Sequence, residues 1–258
     1  MATIFDSPRT RYQADGKFFL IMACVMAAVI VAGFSIHLAL GRSTFAVPAI
    51  YHLHAGVFFS WIAFYLAQNW SIATNNIRLH VTLGLAAYVL VPIMVVMGFA
   101  VMIVALRRSG GPFFFDQNEF LISNSLSLVL FGVLIITALR RRRYTGWHRR
   151  LMLVGMSILT GPGLGRLLPM PLMIPHAWRL MVVATLVFPV IGMIADKRRY
   201  GHVHPAYLWG IGAIIVTQIV ADVIAYSPLG VSLTEALLAG TAGGERPMAA
   251  FIPPGMSF

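Results

Sequence analysis

Seven apolar runs, at residues 18–40, 48–72, 77–106, 119–139, 147–165, 176–195 and 205–227, decide what this chain can become. All but the overlong third are close to the roughly 20 residues that a helix needs to cross a bilayer's hydrocarbon core. Little chain is left between them for a water-soluble domain. In lipid the backbone N–H and C=O groups must be satisfied within the spanning element, so such runs are read as helices. The expected fold is all-α: a polytopic membrane bundle of seven transmembrane helices, one domain over residues 1–258. Only 10% of the residues are charged, against about 25% in soluble domains. The formal charge of +11 would suit nucleic acid, but the basic residues stand at the ends of the runs, where they orient loops. The bilayer, not nucleic acid, is the expected partner.

With the N-terminus inside, thirteen of the 19 Lys and Arg residues fall on the inner side and six on the outer. Arg140–Arg143, Arg149, Arg150 and Lys197–Arg199 are then all inner, which favours an N-in, C-out topology. Pro48, Pro175 and Pro205 stand at or just before the starts of runs two, six and seven, where a missing N–H costs nothing. Pro92 is expected to kink the overlong third run, and Gly161-Pro162-Gly163-Leu164-Gly165 to end the fifth. The polar first 16 residues lead into a full-length run, so no cleavable signal peptide is expected. In the tail, 228–258, Ser232 and Glu235 form a capping-box pattern for a short outer helix. Phe113-Phe114-Phe115 read as an interfacial anchor, with a quinone or protein partner as the alternative. Cys24, the only cysteine, rules out an intrachain disulfide and a Cys-built zinc or iron–sulfur site.

The second run carries polar groups that insertion does not require. At 100° per residue, Phe58, Trp61, Tyr65, Gln68 and Asn69 fall within roughly 60° of His54, forming one aromatic and polar stripe. His52 points almost the opposite way, so His52 and His54 cannot serve one site on a regular helix. Either the stripe faces the bundle and bonds to neighbouring helices, or His54 is a ligand or proton carrier with Trp61 and Tyr65 lining a cofactor beneath it. The eight histidines divide evenly. His37, His52, His54 and His176 lie near outer ends of runs, and His80, His148, His202 and His204 near inner ends. Imidazole ligates haem iron, copper and non-haem iron, and two layers near opposite faces suit a transmembrane electron carrier. Ordinary interface histidines are the alternative, above all for the inner four, which adjoin basic clusters.

Asp222 is the most unusual acid, set in the seventh run with Gln218 and Tyr226 one turn away on the same side. It needs a partner: Arg166 or Arg179, or a metal held with the outer histidines. Those two arginines are equally candidates for haem propionates or another anionic headgroup, because guanidinium binds carboxylate in bidentate fashion. No lysine lies in the seventh run, which excludes a retinal Schiff base. The HxxxH and HxxHH boxes of membrane desaturases, a P-loop and a G-x-S-x-G element are missing too.

Arg78-Leu79-His80 with Leu83-Gly84, followed by Trp147-His148-Arg149-Arg150-Leu151-Met152, resembles a pattern in small bacterial inner-membrane proteins of unassigned function. These carry R-x-H-x-x-L-G in one short loop and W-H-[KR]-R-L-M in a later one. The chain is also similar to His-rich membrane proteins implicated in cytochrome oxidase assembly and, more distantly, to multi-helix b-type cytochromes. The resemblance spans runs two to five. It implies a bacterial inner-membrane location, His80 and His148 as paired inner ligands, and His54 as an outer one. The family's usual His-Arg is His80-Val81 here, a departure from a charged inner pocket. The function expected is binding of haem b, copper or iron in electron transfer or respiratory-complex biogenesis, a membrane oxidoreductase included. The alternatives are a cofactor-free transporter or proton-relay protein using the His54 stripe and Asp222, and an accessory subunit of a membrane complex.

Overall fold

Helices carry most of the described residues, and there is no strand among them. The computed structural model describes residues 8–253 and 255, with side chains from Asp15 onward. The polar start before Pro8, the side chains of Arg9 and Arg11, and the last residues of the Pro/Gly-rich end lie outside the described residues. Six helical stretches are long and apolar enough to cross a membrane. They are Asp15–Ala39 within α1 (Pro8–Ala39), α2 (Ala49–Ala73), α4 (Ala87–Ser109), α5 (Gln117–Arg140), the stretch Ala177–Tyr200 made of α8 (Ala177–Thr185) and α9 (Val187–Tyr200), and α10 (Pro205–Ala225). Their outward faces are large apolar side chains. Val96 is 69% exposed, Val183 62% and Val223 69%, as suits contact with lipid rather than water.

The fifth predicted run is different. It is two helices, α6 (Thr145–Ile158) and α7 (Gly161–Leu167), and α6 lies at the centre of the bundle against α5, α9 and α10. Leu151, Leu153, Val154 and Met156 are fully buried. A helix surrounded by protein has no lipid-facing side to satisfy, so α6 can carry Arg149 and Arg150 near its start. The Gly161–Gly165 segment does not end the run. Pro162 has no N–H to give Ile158, the ladder breaks at Leu159–Thr160, and the Ser157 and Thr160 hydroxyls donate instead to the carbonyls of Val154 (2.8 Å) and Ser157 (2.6 Å). The helix then restarts. Pro189 breaks the α8–α9 pair at Leu186 in the same way. Pro92, by contrast, sits inside α4, and the third run divides earlier, at Leu85–Ala86, after the short α3 (Ile77–Gly84).

Small residues set one crossing. A Cβ added to Gly33 of α1 would lie 2.4 Å from the Gly163 carbonyl oxygen, and one added to Gly163 of α7 would lie 2.7 Å from the Ile30 Cα. Backbone meets backbone there, the approach that small residues permit in membrane bundles. Gly163→Val should force α1 and α7 apart and lower stability by about 1–3 kcal/mol. Thermal unfolding in detergent would read this, and an unchanged midpoint would mean that the two helices do not touch.

At the far end of the chain the tail folds back. The short helix α11 (Pro228–Leu238) exists, but Ser227 caps it by accepting from the Gly230 N–H (3.3 Å), and Pro228 is its first residue. The Ser232–Glu235 pattern therefore falls inside the helix. Nor is the Phe113–Phe115 run an exposed membrane anchor. Phe115 is buried against Trp178 (ring centroids 5.0 Å apart), and Phe113 faces Phe251. Arg246 ties the loop down by donating to the Gly111 and Phe115 carbonyls, each at 2.9 Å.

Candidate functional site

Two polar clusters mark opposite ends of the bundle. At the first, α6 and α9 place Arg150 against Asp196 in a two-pronged pair of 2.7 and 2.6 Å, both side chains buried. The His204 N–H adds a third bond to the same carboxylate (3.1 Å). Asp15 of α1 pairs with Arg149 (2.6 Å) and Arg199 (3.1 Å) and accepts from the Tyr200 hydroxyl. Neither acid stood out in the sequence. Asp196 runs straight into Lys197-Arg198-Arg199 and reads as part of a topological cluster, while Asp15 belongs to the polar start.

Beside this network the structure brings His80 of α3 and His148 of α6 together, their ring centroids 6.1 Å apart and nearly perpendicular. The His148 Nδ1 lies 2.8 Å from the Ala138 carbonyl, so it carries the proton and the Nε2 lone pair is free. Gln68, from the predicted α2 stripe, holds His80. Turned with its NH2 toward α3, its amide donates to the His80 carbonyl (3.1 Å) and Nδ1 (2.5 Å) and accepts from the Gly84 N–H (3.0 Å). That leaves the proton of neutral His80 on Nε2. Rotating the amide by half a turn would let the His80 Nδ1–H donate to it, but would set the Gln68 oxygen against the His80 carbonyl and its NH2 against the Gly84 N–H. A metal ion bound at about 2.0–2.1 Å by each of two imidazoles separates their nitrogens by at most about 4 Å. Adding the ring radii brings the observed spacing within its reach. As it stands the pair fits a proton donor facing an acceptor; to act as two ligands His80 must move its proton to Nδ1, at the cost of its bond from the Gln68 amide.

The rest of the stripe faces inward as the spacing predicts. Trp61, Tyr65 and Gln68 are buried, and the Trp61 Nε1 has no partner. On α10 the Tyr207 hydroxyl is likewise buried and unpaired. His204 caps α10, accepting from the Ala206 N–H (3.1 Å), and its ring packs on Trp147 (5.6 Å). Burial and the Arg150 guanidinium push the His204 imidazole below its ordinary range, with Asp196 opposing them. His202 is exposed beside the Tyr200 carbonyl (3.0 Å). Among the described residues no three His, Cys, Asp or Glu side chains gather as a metal-binding group. The four inner histidines do not form one site.

The second cluster closes the other end. Arg179 of α8 donates from Nε to Asp222 of α10 (2.8 Å), and its other prong lies 3.5 Å from Glu119 of α5. Gln218 donates to Asp222 (2.7 Å) and accepts from the Trp178 Nε1 (3.0 Å). Asp222 is thus bound to an arginine, not to histidines. Asp222→Leu should cost about 1–3 kcal/mol, because Arg179 loses the closer of its two carboxylates and Gln218 an acceptor, and Asp222→Asn should cost less. Equal wild-type-like unfolding midpoints in both variants would place the carboxylate in water.

Of the outer histidines, His52 is exposed, its Nε2 3.1 Å from the Phe45 carbonyl, and His176 is exposed before α8. His37 of α1 and His54 of α2 both lie near Arg166 of α7. Arg166 therefore does not share the Asp222 site with Arg179, although the sequence offered them as equals.

Together the apolar outer faces, the central α6 and the paired ionic ends define a multi-pass α-helical membrane protein. No family model matches the chain, and no curated protein or solved structure is detectably similar to it.

Proposed function

We propose that this protein crosses the bacterial inner membrane seven times, N-in and C-out, and binds a haem or a single transition-metal ion through His80 and His148. The seventh crossing is the broken α6–α7 pair. It begins at the Asp196 end, where Arg150 meets Asp196, and finishes at the opposite end, where Arg166 meets His37 and His54. The Asp196 end carries Arg140–Arg143 and Lys197–Arg199 and is the cytoplasmic one. A reporter after Phe258 should read periplasmic and one between Arg143 and Gly146 cytoplasmic. Both on one side would refute this topology.

One observation carries the functional reading: the ring centroids of two imidazoles from separate elements lie 6.1 Å apart, beside the Arg150–Asp196 network. Two protein nitrogens suffice where a porphyrin supplies the other ligands, or for two-coordinate copper(I). A bound redox metal would supply one-electron transfer. The residues' own part is to hold the ligands. The Ala138 carbonyl fixes the His148 tautomer, and Gln68 of α2 holds the His80 ring in place. The resemblance to oxidase-assembly and b-type cytochrome proteins supports electron transfer or respiratory-complex biogenesis, with a quinone or a respiratory complex as partner.

A second reading rests on the hydrogen-bond pattern at Gln68. An Nε2–H on His80 beside a lone pair on His148 suits proton transfer in a cofactor-free protein, and the Trp61 and Tyr207 polar groups are also buried without a partner in the bundle. An optical spectrum with elemental analysis separates the two: a bound centre under the first, neither colour nor metal under the second.

A further inference from the structure

The geometry points to an oxyanion-binding site at the periplasmic end of the bundle, built from Arg166 of α7, His54 of α2 and His37 of α1, which takes the phosphate or carboxylate of an anionic amphiphile. It stands apart from the inner histidine pair and does not depend on it.

The buried ionic network elsewhere is compensated. Arg150 has Asp196, Arg149 has Asp15, and Arg179 has Asp222 and Glu119. Among the described residues no carboxylate reaches Arg166. Its Nη1 donates to the Pro162 carbonyl of its own helix (2.8 Å), its Cζ lies 3.9 Å over the Phe34 ring, and its Nε is buried with no acceptor. The His54 Nδ1 is also buried and unpartnered, with its ring 4.2 Å from that of Phe58. His37 lies half-buried near Arg166, close to its backbone carbonyl as well as to its guanidinium. The set is rich in donors and holds no anion. A largely buried guanidinium is costly unless paired, and a metal cation held by His37 and His54 would add to the uncompensated charge. An oxyanion removes it: the free Nε and Nη2 edge of Arg166 has the forked shape that binds carboxylate or phosphate. The surroundings specify the remainder of the ligand. Phe34 and Phe58 line the site, and Val31, Ile36 and Phe59 nearby are lipid-exposed, so the anion's carrier is apolar. The headgroup of an anionic phospholipid in that leaflet meets both conditions.

The test is thermal unfolding of the full-length protein in neutral detergent, titrated separately with inorganic phosphate, phosphatidylglycerol and phosphatidylcholine. Wild type should show a saturable rise in midpoint of roughly 4 °C or more with phosphatidylglycerol and a smaller one with phosphatidylcholine. A rise with phosphate alone would assign the site to a free oxyanion; a rise confined to phosphatidylglycerol assigns it to the lipid. Arg166→Gln should abolish the response. His54→Leu, which leaves the guanidinium in place and guards against a folding failure of the first variant, should weaken it roughly tenfold in ligand concentration. Arg107→Gln, at the same end but remote from the cluster, should leave it unchanged. No response in wild type, or an equal response in wild type, Arg166→Gln and His54→Leu, would overturn the proposal.

Discussion

Asp196→Leu is expected to lower stability by about 3–5 kcal/mol, because it leaves the Arg150 guanidinium buried without its counter-ion. Arg150 and Asp196 side chains are only 3% and 7% exposed, so water cannot replace the lost bonds, and the His204 N–H that also donates to this carboxylate is orphaned with them. In a protein of this size that loss corresponds to a fall in unfolding midpoint of roughly 10 °C. The double variant Arg150→Met/Asp196→Leu removes both charges and should recover much of it, since an apolar pair of similar volume can match a buried ion pair. A double variant no better than Asp196→Leu alone would mean that the pair does more than cancel charge, for instance by setting how α6 and α9 register.

That pair also illustrates what could be read before any coordinates. The helices were legible because bilayer-length apolar runs leave the backbone few choices, and the inward α2 stripe was legible because helical period projects Trp61, Tyr65 and Gln68 onto one side. Buried partnerships were not. Asp196 and Asp15 look like members of basic, topological clusters, and only the packing of α6 against α9 and α1 makes them counter-ions. Arg166 and Arg179 look alike in sequence, yet one is paired with Asp222 and the other has no acid, because α7 turns toward α1 while α8 turns toward α10. Cap chemistry was misread where two serines compete: Ser227 wins over Ser232 because Pro228 behind it presets the first helical turn. The nearness of His80 and His148 came from the motif resemblance alone. No periodicity links two residues so far apart in sequence.

His80→Ala and His148→Ala should each abolish the inner centre, reducing bound haem or metal to less than about a tenth of wild type, while the polypeptide still inserts. Insertion follows span hydrophobicity, to which one imidazole contributes little, so ligand loss separates from folding loss. Gln68→Leu, which removes the amide that keeps the His80 proton on Nε2, should raise metal affinity by freeing that nitrogen to ligate. His54→Ala should leave the inner content untouched, since His54 lies at the other end of α2 beside Arg166. Equal loss in all four variants would point to general unfolding instead of ligation.

The most direct measurement is the optical spectrum and elemental content of the native protein, purified from its own membrane without added chelator. The two-imidazole account predicts about one haem or one transition-metal ion per chain. For haem, sharp reduced α and Soret bands should appear, because two axial nitrogens make the iron low-spin. For copper or non-haem iron, there should be no Soret band but stoichiometric metal that disappears with His80 or His148. Colourless, metal-free native protein would contradict the account and leave the His80–His148 pair as a proton donor and acceptor.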